Sequence, residues 1–298
     1  MKQKVLILGA TGMLGHMLFN QLSLHPDFDV YATARTSSGL SQWFSPDLVK
    51  KIQTDVYAEN FDTIIHAFAF IQPDILINCI GLIKQLPIAS DPFWAIMINS
   101  LLPHQISMIC RSARVRMIHI STDCVFDGKK GNYTETDLSN AEDLYGRSKF
   151  LGEVTYPPYC LTLRTSIIGH ELRGKLGLIE WFLAQEGIVR GFTHAIYSGF
   201  PTIELARIIA NYVIPNPDLT GLYHVSSEPI SKYDLLKWVA KSYAKQIEIE
   251  LFNDFNQDRS LDSSALRRIT DYKPPPWPEL IDRMYQHYIS SSFYKQSL

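Results

Sequence analysis

The stretch KVLILGATGMLGHML, residues 4–18, runs from a short apolar segment through three glycines into apolar residues at three- and four-residue spacing. Val5–Leu8 has the length and branching of a buried strand, and the run from Met13 has the periodicity of a helix packed on a sheet. Gly9, Gly12 and Gly15 therefore fall where a strand turns into a helix. In that context glycines permit a tight turn and let backbone amides approach a phosphate, whose charge the helix N-terminus stabilises. Gly9, Thr11, Gly12, Met13, Leu14 and Gly15 are the candidate residues of a dinucleotide phosphate loop.

Beyond this unit the alternation repeats. DVYATA (29–34), DILINCIG (74–81), RMIHIST (116–122) and CLTLRTS (160–166) read as further strands, with helical patterns such as NSLLPHQISMICRSA (99–113) between them. Strand–helix alternation predicts βαβ units and a parallel sheet covered on both faces. After about residue 166 the pattern loosens; YDLLKWVAKSYA (233–244) reads as an amphipathic helix, and the four prolines of KPPPWPEL (273–280) exclude helix and central strand there. The expected architecture is α/β: a Rossmann-type doubly wound parallel sheet in residues 1–166, rejoined by about 195–225. A smaller C-terminal α+β substrate-binding lobe makes up most of 167–298.

Composition narrows the class. The chain has 298 residues, 46% of them hydrophobic, and 28 Lys+Arg against 30 Asp+Glu, with no block of like charge. That balance argues against nucleic acid and against an anionic membrane surface as partners. Cys79, Cys110, Cys124 and Cys160 lie far apart, without the spacing of a metal site or a disulfide framework, and fit reduced thiols in a cytoplasm. The apolar run at the N-terminus stops at Gly9, short of a signal peptide, and Phe61–Ile80 is split by Gln72-Pro73-Asp74, so neither is a membrane segment. A homodimer is compatible with all of this, and no metal site is expected.

The end of the second strand commonly offers a carboxylate to a ribose hydroxyl. Here ATARTSSG (32–39) has no acid; it has Arg35 with Thr33, Thr36, Ser37 and Ser38. A guanidinium fork and hydroxyls suit a 2′-phosphate, so NADP(H) is preferred over NAD(H). Asp55 and Val56, past the expected third strand, are placed to meet the adenine, and Asn78 and Thr165 end strands on the cofactor side. Asn99 and Pro103 belong to a helix behind the site.

Ligands of open α/β sheets sit at the carboxyl ends of the strands, where HISTDCVFDGKKGNY (119–133) ends a strand on Ser-Thr-Asp-Cys. Downstream, Tyr145 and Lys149 stand one helical turn apart on one face. A cation beside a phenol favours the phenolate, so the pair could exchange a proton near neutral pH. Tyr233 and Lys237 repeat the spacing, but no hydroxyl-rich strand end precedes them.

Together GATGMLG (9–15), ISTDCVFDGKKGNYTETD (120–137), LYGRSKFLGE (144–153) and LTLRTSIIG (161–169) resemble the extended short-chain dehydrogenase/reductases, and within them the dTDP-4-dehydrorhamnose reductase-like group. The resemblance is dense to about residue 170 and thinner beyond. It implies NADPH-dependent reduction of the 4-keto group of a nucleotide-linked 6-deoxysugar, in deoxysugar and cell-surface polysaccharide biosynthesis. Thr122 would hydrogen-bond the keto oxygen, Tyr145 would protonate it, and Lys149 would hold the nicotinamide ribose. Asp123 would position the substrate or Thr122, because a thiol, ordinarily of pKa about 8.5, stands at Cys124 in place of the second carboxylate that related dehydratases need. Lys84 and Arg259 are candidates for the nucleotide diphosphate. Cys124 also resembles the epimerising cysteine of GDP-fucose synthases, with His170 near the place of its partner. An epimerase-reductase is therefore one alternative, and a non-catalytic NADP-binding regulatory protein is another.

Overall fold

The computed structural model describes residues 2–291 and Tyr294. Its strands, in chain order, are β1 (Gln3–Leu8), β2 (Phe28–Thr33), β3 (Ile52–Gln53), β4 (Ile75–Asn78), β5 (Arg116–Thr122), β6 (Cys160–Thr165), β7 (Ile167–Ile168), β8 (Ile188–Tyr197), β9 (Phe200–Pro201), β10 (Gly221–His224), β11 (Ile230–Ser231) and β12 (Glu248–Asp258). Seven of them form one sheet in the order β10-β6-β5-β4-β1-β2-β3, and every pairing in it is parallel. This is a doubly wound Rossmann-type sheet with an added seventh strand. The strand order reverses between β1 and β4, and that is where such sheets open a crevice for a ligand.

The strands are buried on both faces, as their nearly unbroken apolar runs require. Val5 and Ile7 of β1 join a core with Leu18, Phe19, Leu205 and Ile281; Leu6 and Leu8 point the other way, toward Ile64, Ile71, Leu102 and Ile106. The first layer is built by helices Met13–Ser23, Thr202–Ile208 and Trp277–Ser290, the second by Phe61–Ile71 and Leu102–Ala113. Residues 221–224 return to the main sheet beside β6. The rest of the C-terminal half carries a three-stranded sheet, β11-β8-β12, and a two-stranded one, β7-β9.

Two regions depart from the sequence reading. The proline-rich stretch 273–280 was expected to exclude helix, yet Trp277 opens the helix Trp277–Ser290 with Pro278 in its first turn. There a missing N–H interrupts no intrahelical bond. Pro92–Ala113 forms 22 continuous helical residues, long and apolar enough to cross a membrane by length and composition, with half of its apolar window buried inside the fold. It passes through a π-helical turn, Ile96–Leu101. Pro103 has no N–H to donate to the Asn99 carbonyl, and Gly152 closes on that carbonyl so tightly that a Cβ would lie 1.9 Å from it.

The glycine loop is fixed by contact. Gly9 adopts φ +92°, and a Cβ on Gly15 would sit 1.9 Å from the Gly9 carbonyl oxygen. Gly15 thus serves strand–helix approach. At Gly12 the nearest atom to a Cβ is 3.6 Å away, so that position is open on the crevice side. Gly15→Ala should destabilise the protein by about 2–3 kcal/mol, since backbone must move to admit the methyl. Urea denaturation midpoints check this; a loss below about 0.5 kcal/mol would contradict the contact.

Candidate active site

Strand β5 ends at Thr122, whose hydroxyl caps the short turn Asp123–Val125 by accepting from the Cys124 N–H at 3.1 Å and donates to Asp123 at 3.1 Å. The helix Leu144–Leu151 starts because Asp143 caps it, accepting from the Gly146 N–H at 2.7 Å. Its first turn lies on the Thr122 turn: a Cβ on Gly146 would meet the Cys124 carbonyl oxygen at 2.1 Å. Tyr145 is thereby delivered to Thr122, whose hydroxyl acts on the phenol.

One turn on, Lys149 is buried and donates to the Ile120 carbonyl at 2.8 Å. Burial lowers its pKa to about 8, against the opposing pull of Glu153 and Cys79. Tyr145 behaves differently from the sequence expectation. Removal from water holds its phenol well above the ordinary range, the acidic groups of Cys124, Asp123 and Asp143 add to this, and only Thr122 opposes them. Lys149 is turned to the strand carbonyl, so in the free protein Tyr145 is a protonated acid rather than half of a phenolate pair.

Behind these groups, Glu153 accepts from Ser121 at 2.7 Å and from Arg164 through both carboxylate oxygens, also at 2.7 Å. Asn99 bridges the loop after β4 to the catalytic helix: it exchanges hydrogen bonds with the Leu82 backbone at 2.8 and 3.0 Å and donates to Ser148 at 3.3 Å.

The C-terminal half supplies cations. Arg259, at the end of β12, donates to the Phe126 carbonyl at 2.8 Å and to Cys124 Sγ at 3.5 Å. Lys84 and Lys232 complete the group: Lys84 and Arg259 act on the Cys124 thiol, and Lys232 feels Asp123, Cys124, Lys84 and Arg259. Lys232 was not legible in sequence, where it neighbours the Tyr233–Lys237 pair; that pair lies with Lys237 Nζ 5.1 Å over the Tyr233 ring in the C-terminal lobe. Burial raises the pKa of Asp123, and burial with the Asp123 charge pushes the Cys124 thiol up to about 11.

On the cofactor side, Thr33 Oγ1 accepts from the Gly9 N–H at 3.2 Å, and helix Met13–Ser23 begins at Gly12 without any side-chain cap. Its first-turn amides and the open Gly12 suit a dinucleotide phosphate. Arg35 is exposed beside this crevice; Asp55 is exposed at φ +60°, and Val56 is buried with its N–H on the Ala34 carbonyl at 3.2 Å. Thr165 is buried beside Thr122 across the β5–β6 pair. Asn78 is fully buried, its amide nitrogen 3.1 Å from His119 and its oxygen accepting from the Ile80 N–H at 3.1 Å. Its side chain thus bridges β5 and the loop after β4. His170 is also withdrawn: its ring nitrogens lie 2.6 Å from Glu180 and 2.7 Å from Tyr243, and it stacks on Tyr288 at 4.0 Å. His170 thus sits in an aromatic cluster rather than beside Cys124. Among the described residues no group of three His, Cys, Asp or Glu is set to hold a metal.

A Rossmann-type sheet with Thr122, Tyr145 and Lys149 assembled at the end of β5 defines the class of extended short-chain dehydrogenase/reductases. A family model described as the RmlD substrate binding domain matches residues 3–290, and the chain belongs to that family. It is 25% identical over 243 residues, 78% of this chain and 76% of the relative, to a dTDP-4-dehydrorhamnose reductase of Aggregatibacter actinomycetemcomitans. It is 26% identical over 258 residues, 81% of this chain and 74% of the relative, to methionine adenosyltransferase 2 subunit beta of Danio rerio. Its fold matches the dTDP-4-dehydrorhamnose reductase of Bacillus anthracis, solved with NADP, at a TM-score of 0.78 and 22% identity, covering 96% of this chain and all (100%) of the other.

Because Lys149 loses its proton as pH rises through about 8, dinucleotide affinity should be full below that pH and fall above it. Fluorescence titration with NADPH between about pH 6.5 and 9.5 checks the sign, and Lys149→Arg, which stays charged throughout, should flatten the profile.

Proposed function

We propose that this protein reduces the 4-keto group of a nucleotide-linked 4-keto-6-deoxysugar. Bound NADPH supplies the hydride. The observation that carries the reading is the seating of the first turn of the Tyr145 helix on the Thr122 turn, at the carboxyl end of β5. The Thr122 hydroxyl holds the keto oxygen and the Tyr145 phenol delivers its proton as the carbon is reduced. Lys149, with one N–H on the Ile120 carbonyl, has two further donors for the nicotinamide ribose. Gly9–Gly15 and Arg35 hold the phosphates of the dinucleotide, Asp55 and Val56 meet its adenine, and Thr165 flanks the nicotinamide. Lys84, Lys232 and Arg259 take the substrate diphosphate, and Asp123 orients the sugar or Thr122. Residues 1–166, rejoined by about 195–225, form the cofactor half; 167–298 are mainly the substrate half.

Likeness to a methionine adenosyltransferase subunit favours a second reading, a dinucleotide-binding subunit without turnover of its own. Retention of Thr122, Tyr145 and Lys149 together speaks for turnover. Incubation with NADPH and a 4-keto-6-deoxysugar nucleotide separates the two: a reductase consumes NADPH, a regulatory subunit only binds it. Tyr145→Phe should lower turnover at least about a hundredfold while keeping NADPH affinity; full turnover in the variant would remove Tyr145 from the chemistry.

The same substrate tests epimerisation. With His170 engaged by Glu180 and Tyr243, and the Cys124 thiol pushed up to about 11, neither member of an epimerising cysteine–histidine pair is set as a base for a proton beside the keto carbon. In deuterated water without NADPH, no deuterium should enter C3 or C5. Incorporation that vanishes in Cys124→Ser would establish an epimerase-reductase instead.

A further inference from the structure

The loop between β7 and the helix Leu178–Leu183 touches both the start of the helix after β1 and the turn after β2. Glu171 folds it into a hook by accepting from the Leu176 and Gly177 N–H groups at 2.8 and 2.9 Å. At one end it presses on the phosphate loop, where a Cβ on Gly177 would come within 2.5 Å of the Met13 methyl. At the other, Arg173 donates through Nη2 to the Ser38 carbonyl at 2.7 Å, and its guanidinium lies 4.4 Å over the Trp43 ring. Gly39, at φ +80°, makes room: a Cβ there would meet Arg173 Nη2 at 2.5 Å and Trp43 at 2.9 Å.

Two guanidinium groups therefore flank one short turn, Arg35 from its start and Arg173 from above its end. Neither takes part in an ion pair among the described residues. The turn between them carries Thr36, Ser37 and Ser38 and no carboxylate. A flexible exposed arginine loses much of its attraction to solvent and ordering entropy. Arg173 differs from Arg35 in being held: stacking on Trp43 and the bond to Ser38 fix its plane, leaving four of its roughly five N–H donors for another acceptor. Two unpaired cations over a hydroxyl-bearing turn suit a phosphate dianion.

We propose that Arg173 is a specificity-determining residue that, with Arg35, reads the 2′-phosphate of NADPH from the C-terminal half of the chain. The inference rests on the NADPH reading above, and the test separates the two. Binding of NADPH and NADH is measured by fluorescence titration for the intact protein, Arg35→Ala, Arg173→Ala and Arg173→Gln. Gln keeps an N–H donor and part of the cover over Trp43 without the charge, although it is shorter than Arg, and the NADH affinity reports whether the loop is retained. The expected result is preference for NADPH in the unaltered protein and about tenfold weaker NADPH binding in both Arg173 variants, with NADH changed less than about twofold. Equal weakening of NADPH and NADH in both variants would overturn it, because Arg173 would then only support the loop. Preference undiminished in both would overturn the role of Arg173 alone and leave the NADPH reading standing. Equal affinity for NADPH and NADH in the unaltered protein would overturn both.

Discussion

Glu153 and Arg164 are 4% and 3% exposed, joined by two parallel hydrogen bonds, and the active site is assembled around that buried ion pair. Such a pair holds position more than it adds stability: removing one partner strands a charge and typically costs about 3–5 kcal/mol. Glu153 follows Lys149 by one helical turn, so the pair sets where the catalytic helix ends relative to β5 and β6. Through Ser121 it reaches the strand that carries Thr122. Arg164 also lies 5.1 Å over the Phe126 ring and 3.4 Å from His224 of β10. Burial and the Arg164 charge keep His224 neutral, which lets it accept from Arg164 while its other nitrogen meets the Tyr133 carbonyl at 3.0 Å. One ion pair thus ties catalytic helix, three strands and the loop after β5.

The charge that Glu153 contributes also reaches Lys149. Withdrawn from water, the lysine would lose its proton readily; the carboxylate opposes this and leaves its pKa about 8. Tyr145 meets the opposite field, because Asp123, Asp143 and Cys124 surround it. A cationic lysine facing the cofactor side and a neutral phenol facing the substrate side suit proton donation to a carbonyl. A phenol kept above its ordinary range gives up its proton only to a strongly basic oxygen.

Much of this was legible in the chain. A strand, three glycines and a helix in sequence have few physical solutions, and Gly15 is required by contact with its own loop, a local constraint. The Tyr145–Lys149 spacing is likewise local. The departures arose where distant segments meet. Asn78 ends β4 as the sequence indicates, and the pairing of β4 with β5 sets its amide against His119, which no local pattern foretells. His170 looked like a partner for Cys124, but the strand it follows leads into the aromatic cluster with Tyr243 and Tyr288.

By itself the sequence determined the class of fold, the glycine turn from β1 into its helix, and the strand end and helical spacing that carry Thr122, Tyr145 and Lys149, because periodicity, turns and helical spacing act over a few residues. Only the tertiary structure decided that Lys84, Lys232 and Arg259 converge on Asp123 and Cys124, that Arg173 reaches the turn after β2, and that the Tyr145 phenol is pushed above its ordinary range. Those outcomes depend on burial and on groups brought together through space, more than a hundred residues apart for Lys232, Arg259 and Arg173. Solvent exclusion and through-space fields belong to the packed molecule, so no short-range pattern encodes them.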